Sequence, residues 1–193
     1  GHLSSLAATP FSPDEPLAVA APDPDDNPIA THCPANPNEL NEGFMVMTRG
    51  DVTFNNGANE SYGPVAVGGD LTFKNYRSST QSGGTFFAEP DSVPTALLVE
   101  GMVNWPDSGG GYLRIHNGYL HVGNIANWTP ATGGPNNELR LTAASGPQNR
   151  QIRVENTDQT FESVEMQGLF DFPAAFASFD GITNALPGLP GSC

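Results

Sequence analysis

The sequence predicts an all-β solenoid, a parallel β-helix with a C-terminal α-helix packed on its flank or end. Two segments of the form Gly-Asp-aliphatic-Thr-Phe-x-Asn support this prediction, and they begin at Gly50 and Gly69, 19 residues apart. Internal repeats of this length are typical of architectures built from stacked units. Within each segment apolar residues alternate with polar ones, which indicates a strand with one buried face. The 22 glycines and 18 prolines favour many turns and few long helices.

The chain divides by composition into two parts. Residues 1–40 are rich in Pro, Ala and Asp, and so many prolines leave no helix or strand period. We therefore expect a linker or extended N-terminal segment over 1–40 and the β-helix domain over 41–193. The acidic turns near Asp23 lack the glycine and distal glutamate of a calcium loop, so a solvated linker is favoured there.

Short strands separated by glycines are expected throughout the domain. Residues 65–67 and 71–73 flank Gly68 and Gly69, and residues 96–103 repeat that plan around Gly101. Asn117-Gly118 divides the next apolar segment and fits either a hairpin turn or a corner between two strands of one coil, and we favour the corner. The pattern continues more faintly at Leu139 and Leu141, Ile152 and Val154, and Val164 and Met166.

A helix is expected over about 171–186. Phe172, Phe176, Phe179 and Leu186 share one face at helical spacing. Asp171 is suited to the N-cap position, and Pro173 is suited to the first turn. Because a solenoid has exposed ends and flanks, we expect the phenylalanine face to cover one of them.

The charge of the chain indicates which classes of partner it is expected to bind. The chain has 21 acidic and seven basic residues, for a net charge of −14. A nucleic-acid binder needs Lys and Arg to replace the counterions of phosphate, so nucleic acid and anionic membranes are not expected partners. Apolar segments are too short to cross a bilayer, so this sequence is not expected to insert into a membrane. The acidity indicates solubility outside a cell.

The two cysteines, Cys33 and Cys193, predict a disulfide, since an even pair in a secreted protein is typically bridged. The loop would hold about 160 residues and contribute about 4–5 kcal/mol in the chain-entropy model. Two unrelated free thiols are the alternative.

Four aromatic residues are the tentative ligand-binding set: Trp105, Trp128, Tyr112 and Tyr119. Aromatic rings exposed on a solenoid face suit docking of a sugar or a protein, and packing in the core or in loops is the alternative. Since the four are close in the repeat order, we expect them to cluster.

Metal and catalytic chemistry have weaker support. Asp51 and Asp70 are weak candidates for a metal such as a structural Ca²⁺, although carboxylates that point outward at a turn are favoured. We expect no other cofactor and no catalytic residue, because neither Asp51 with Asp70 nor Arg114 with Arg140 forms a recognisable constellation. His116 and His121 are expected at the surface.

Three segments resemble the choice-of-anchor A family. They are Gly43-Phe44-Met45-Val46-Met47, then Val65-Ala66-Val67-Gly68-Gly69-Asp70, and the closing Phe170-Asp171-Phe172-Pro173-Ala174-Ala175-Phe176. The resemblance implies a secreted, surface-displayed adhesive domain of bacterial or fungal type with a β-helix fold and no catalytic residues. Any anchor, for example in a cell wall, is expected outside this sequence.

The function expected from the residues and the resemblance is a non-catalytic adhesion module on a cell surface. Its ligand would be an extracellular glycan or protein, and the domain would be a monomer. A polysaccharide-degrading β-helix enzyme is the first alternative. An ice-binding solenoid is the second, for which Thr53 and Thr72 begin a threonine row that Asn104 and Ala126 do not continue.

Overall fold

A computed structural model describes residues 41–55, 60–105, 111–132, 135, 137–145, 149–155 and 157–185. The segment 1–40, expected to be a linker, lies outside this set, as does the expected pair Cys33 and Cys193. The described strands and helix are β1 (Val46–Thr48), β2 (Val52–Phe54), β3 (Val65–Val67), β4 (Leu71–Phe73), β5 (Tyr76–Ser78), β6 (Thr95–Met102), β7 (Gly111–Ile115), β8 (Tyr119–Asn124), β9 (Trp128–Pro130), β10 (Glu138–Ala143), β11 (Arg150–Glu155) and α1 (Phe172–Ala185).

The strands form three sheets. The parallel sheet has the order β1-β3-β6-β8, and the mixed sheet has the order β5-β7-β11-β10-β9. The two-stranded sheet pairs β2 with β4 in parallel. From β1 to β9, consecutive strands therefore lie in different sheets, which brings residues far apart in sequence into cross-strand contact.

The prediction of a parallel β-helix is wrong. The strands belong to three separate short sheets, and in the mixed sheet β10 runs antiparallel to both β9 and β11. The connections on either side of β10 are short and contain Gly133-Gly134-Pro135 and Gly146-Pro147. Connections of this length and composition join antiparallel strands, because a parallel crossover needs a dozen residues or more.

The pairing of the two Gly-Asp repeats is confirmed. Val52, Thr53 and Phe54 of β2 lie directly opposite Leu71, Thr72 and Phe73 of β4. The corner at Asn117 is also confirmed, since β7 belongs to the mixed sheet and β8 to the parallel sheet. Asn117 has a φ of 52°, a left-handed conformation that asparagine adopts more readily than most residues.

Two apolar clusters stabilise the fold. The main core lies between the sheets and includes Val67, Leu97, Leu113, Leu120 and Ile152, all with no exposed area. The outer core covers the opposite face of the parallel sheet and consists of Phe44, Ala66, Phe86, Ala88, Leu98, Phe170 and Phe172. The parallel sheet is therefore buried on both faces, as its continuous apolar segments indicate.

The helix expected over 171–186 is present as α1. The side chain of Asp171 accepts the N–H of Ala174 at 2.9 Å, so Asp171 is the N-cap residue. Phe172 belongs to the outer core and Phe176 packs against it. An exposed ion pair of 2.7 Å between Arg49 and Asp180 joins the helix to the turn after β1.

Candidate functional site

Two of the four aromatic candidates lie together in a groove. It lies where β6 and β8 end and β9 begins, and it has a volume of about 330 Å³. Trp105 and Trp128 form part of its wall, with their rings 5.3 Å apart in an edge-to-face arrangement. They are only 5% and 6% exposed, so they also belong to the main core. The rings thus support the groove rather than project from the surface.

Polar side chains complete this groove, which we call the aromatic–amide groove. Asn104, Asn124 and Asn127 line it. The buried indole N–H of Trp105 has no acceptor within the described part of the chain. An amide offers both donors and an acceptor, and a buried donor without a partner costs about 1–3 kcal/mol. The groove therefore presents hydrogen-bonding groups for a polar ligand beside an apolar wall.

The asparagines were not among the predicted site residues, although the sequence contained a signal. Asn104 and Asn124 each follow an apolar strand, and Asn127 lies directly before Trp128. Amides at the ends of neighbouring parallel strands meet at one edge of a sheet. The register confirms this for the two strands concerned, because Met102 pairs with Asn124.

The other two aromatic candidates lie elsewhere. Tyr112 is on the outer face of the mixed sheet, with the guanidinium of Arg153 3.6 Å from its ring centroid. Tyr119 is buried on β8, and its hydroxyl donates a short hydrogen bond to Asp158. That hydrogen bond and burial raise the pKa of Tyr119 to about 12. The four aromatics therefore do not form one site.

Asp51 and Asp70 have a structural role in the repeat. Oδ1 of Asp51 accepts the backbone N–H of Asp70 at 2.8 Å, and Oδ1 of Asp70 accepts the N–H of Met102 at 2.9 Å. A Cβ added to Gly69 or to Gly101 would lie 2.3 Å or 2.2 Å from those same oxygens. The glycine of each unit thus leaves room for the aspartate of the preceding one. Among the described residues, no group of three or more His, Cys, Asp or Glu could hold a metal ion.

His121 is fully buried, contrary to the expectation of a surface histidine. The register places it in one cross-strand row with Met47, Ala66 and Leu98 on the outer-core face of the parallel sheet. Its Nε2 lies 2.9 Å from Oδ2 of Asp91. Burial lowers the pKa of His121, and the Asp91 carboxylate and the Ser163 backbone oppose that shift only in part. The imidazole is therefore held mainly neutral.

Acid is expected to destabilise the domain through His121. Because its pKa in the folded state lies below the ordinary value of 6.5, the unfolded chain binds the proton more readily. Stability is therefore full above about pH 6.5 and falls as pH drops below it. Thermal unfolding of wild type between about pH 7.5 and 5.5 should show this decrease, and His121→Gln should have a shallower slope.

The matched control is His116→Gln on the mixed sheet. Nδ1 of His116 lies 3.1 Å from Glu155 and its side chain is partly exposed, so this variant should retain the acid-dependent loss. A wild-type domain that is more stable at the lower pH would show instead that His121 and Asp91 form a charged pair.

A larger groove of about 520 Å³ lies beside α1. Phe170, Phe172 and Phe176 form its apolar wall. Of its charged groups Arg49, Asp180 and Glu100, the first two are paired with each other. Arg49 also lies over the ring of Phe176 at 4.8 Å. This groove offers mainly apolar surface, whereas the aromatic–amide groove offers several hydrogen-bonding groups.

The fold is that of a small β-rich module with a groove at the ends of its strands. A family model described as "Putative Ice-binding-like adhesive domain" matches residues 37–192. The chain belongs to this family of adhesive domains. The match does not confirm the choice-of-anchor A resemblance. No curated protein and no solved structure matches the chain.

Membership of an adhesive-domain family indicates an extracellular or surface location. Within the described residues, no helix has both the length and the apolar character needed to cross a membrane.

Proposed function

We propose that the domain is a non-catalytic adhesion module, secreted or displayed on a cell surface, that binds an extracellular carbohydrate in the aromatic–amide groove. The observation that supports this most directly is the combination of two tryptophans with three asparagines. Sugar hydroxyls both donate and accept hydrogen bonds, as amides do, and the exposed Asn127 lies in the groove beside Asn104 and Asn124. Oδ1 of Asn124 already accepts the N–H of Ala126, at 2.9 Å. The unpartnered N–H of Trp105 would gain an acceptor on binding.

A carbohydrate fits this groove better than a protein surface does. A volume of about 330 Å³ is at the lower end of the range for small-molecule sites. A stable protein–protein interface needs about 800 Å² from each partner, and its centre is typically depleted of charged residues and rich in aromatic side chains. Here the tryptophans are largely buried and the accessible groups are amides, which favours a short segment of glycan.

Binding without catalysis is supported by how the candidate acids are used. Hydrolysis of a glycosidic bond needs two carboxyl groups that flank the bond at a set separation. The carboxylates of Asp51 and Asp70 each accept a backbone N–H of the next repeat, so they have structural partners. The groove is lined by asparagines rather than by acids.

We propose that the module acts as a monomer.

The family description also favours an ice surface as a second candidate ligand. Thr53 and Thr72 pair across β2 and β4 and begin a threonine row. In the next unit Asn104 takes the following place, since its N–H donates to the carbonyl of Leu71. Two threonines make a short row, and inhibition of ice recrystallisation by the purified domain would support this alternative.

Replacing Asn127 with alanine is expected to weaken glycan binding about tenfold, the equivalent of one or two lost hydrogen bonds. The side chain of Asn127 is exposed in the groove, so folding should be retained. The domain would be screened on an array of neutral oligosaccharides, and the strongest ligand would be titrated by calorimetry. A bacterial host is required, because Asn127-Trp128-Thr129 is an N-glycosylation sequon that eukaryotic secretion could modify.

Asn55→Ala is the matched control, since Asn55 is exposed but lies at the end of β2, outside the groove. It should bind as wild type does. Absence of binding to every neutral glycan, or equal loss in both variants, would contradict the proposal. Release of new reducing ends from a polysaccharide would contradict the non-catalytic part of it.

A further inference from the structure

Four of the six arginines form one row across the mixed sheet. Arg77 of β5 lies opposite Arg114 of β7, and Arg114 lies opposite Arg153 of β11. Arg153 in turn lies opposite Arg140 of β10. Since neighbouring strands are about 4.8 Å apart, the row extends roughly 14 Å. We call these four residues the arginine row.

The arginine row lies on the face of the sheet that points away from the main core. Its neighbours along the strands, Leu113 and Ile115 on β7 and Ile152 and Val154 on β11, are fully buried. Strand residues alternate between faces, so the arginines point outward. Arg77 is exposed and the side chain of Arg114 is 36% exposed. Like charges directly opposite each other destabilise a sheet, so the row needs either internal compensation or a ligand.

Internal compensation is incomplete. Glu138 pairs with Arg140 at 2.9 Å and approaches Arg153 at 3.7 Å. Glu155 is 3.8 Å from Arg114 and closer, at 3.1 Å, to His116. Among the described residues, these two carboxylates lie within ion-pair distance of three of the four guanidiniums. Arg77 makes no such ion pair there, although Glu60 lies opposite it in an isolated parallel bridge. With Glu60 included, the described part of the row carries three carboxylates against four guanidiniums and keeps a net positive charge.

The other end of the row is ordered and partly enclosed. Arg153 stacks over Tyr112 and receives further support from Oε1 of Gln151, 3.0 Å from its Nη2. A polar hollow of about 350 Å³ is lined by Arg114, Arg140 and Arg153 together with the carboxylates of Glu138 and Glu155. The guanidiniums are therefore held in fixed positions beside a space large enough for an anionic group.

We propose that the arginine row binds a linear acidic polysaccharide through its carboxylate groups. The planar guanidinium matches a carboxylate with two parallel hydrogen bonds. The spacing along the row, about 4.8 Å, is comparable to the length of one sugar unit, so successive uronate residues would meet successive strands. This surface lies outside the aromatic–amide groove and does not depend on the function proposed for it.

Screening by salt allows a local positive patch to bind an anion, although the chain has a net charge of −14. At physiological ionic strength the Debye length is about 8 Å, so the distant carboxylates are largely screened at the row. A DNA duplex carries a charge every 1.7 Å or so along its axis. A row of roughly 14 Å offers only four guanidiniums, which match few of the duplex phosphates. A polyuronate has its charges more widely spaced, which favours it over nucleic acid.

The test measures binding to polygalacturonate, with dextran as the neutral polymer, in wild type, Arg77→Gln, Arg114→Gln and the double variant. We expect each single change to weaken polygalacturonate binding about tenfold, as expected for a lost hydrogen bond to a charged group. Neither wild type nor any variant should bind dextran through this surface. Added salt should weaken the complex of wild type with polygalacturonate. Asn127→Ala should leave polygalacturonate binding unchanged, which separates this site from the groove.

Arg49→Gln is the matched control, since it removes the same charge from the turn after β1, where Arg49 pairs with Asp180. It should bind polygalacturonate as wild type does. Loss of affinity equal to that of Arg77→Gln would show a general charge effect and overturn the proposal. So would binding of a DNA duplex as tightly as polygalacturonate, or a wild-type dimer that the double variant dissociates. Absence of polygalacturonate binding would also overturn it.

Discussion

Trp105→Ala is expected to lower the free energy of unfolding by about 3–5 kcal/mol, as truncation of a buried aromatic side chain does. The ring of Trp105 contacts two other aromatics edge to face, with centroids 5.7 Å from Phe73 and 5.3 Å from Trp128. Its removal would leave a cavity at the meeting point of the main core and the aromatic–amide groove. Because a domain is typically stable by only about 5–15 kcal/mol, chemical denaturation should show a large decrease in the midpoint.

Two further variants make this prediction specific. Met102→Ala removes an exposed neighbour that also lines the groove, and it should change stability by less than about 0.5 kcal/mol. Trp105→Phe keeps an aromatic ring but lacks the indole N–H, so it should weaken neutral glycan binding while destabilising less than Trp105→Ala. Stability of Trp105→Ala near that of wild type would show that the aromatic packing contributes little.

Local patterns in the sequence predicted local structure well. The 19-residue spacing of Gly50 and Gly69 placed β2 and β4 in register, because equal positions of neighbouring repeats pair. The phenylalanine spacing and the cap residue Asp171 placed α1 within a residue or two. Both features depend on contacts that are either close in the chain or repeated along it.

The arrangement of the later strands could not be predicted in the same way. The alternation at Leu139 and Leu141 on β10 is the same whether the strand runs parallel or antiparallel to its neighbours. Pairing direction depends on whether the connection reverses the chain. The glycine- and proline-rich connections around β10 indicate such a reversal, whereas the repeat of Gly50 and Gly69 indicates continued parallel stacking.

Burial of His121 and the presence of the outer core depend on long-range packing. Phe44, Phe86 and Phe170 cover the parallel sheet from segments without regular strand or helix, so no period marks them as core residues. The all-buried segments Val65–Val67 and Thr95–Val99 were the available signal, since a strand covered on both faces is apolar throughout.

The two proposed binding surfaces differ in how far the sequence could predict them. Trp105 and Trp128 were identified as aromatic candidates before their groove was known. The arginine row depends on the register of four strands, of which β5 and β11 are about 70 residues apart in the sequence. The sequence offers Arg114 and Arg140 as a pair, but no pattern in it links them to Arg77 and Arg153, which complete the row. Spacing alone does not indicate which outward-facing residues share a row.

Gly123 lies in the interior of β8 at an irregularity in its pairing with β6. Val99 pairs with Val122 and Met102 pairs with Asn124, so Glu100 and Gly101 together lie opposite Gly123. This is a β-bulge, and glycine within a strand often marks such a close backbone approach. A Cβ added to Gly123 would lie 1.9 Å from the carbonyl oxygen of Glu100.

Gly123→Ala is therefore expected to destabilise the domain by about 3 kcal/mol, at the upper end of the usual cost of overpacking. The obstructing atom belongs to the backbone, so relief requires β6 and β8 to separate, which would also displace Asn124 from the groove. Gly181→Ala in α1 is the control, because an added Cβ meets no atom within 4 Å. Alanine there should stabilise by about 0.5–1 kcal/mol, since glycine is a poor helix former. Equal stability of Gly123→Ala and wild type in thermal unfolding would show that the two strands separate at little cost, and the groove would then be a deformable surface rather than a preformed one.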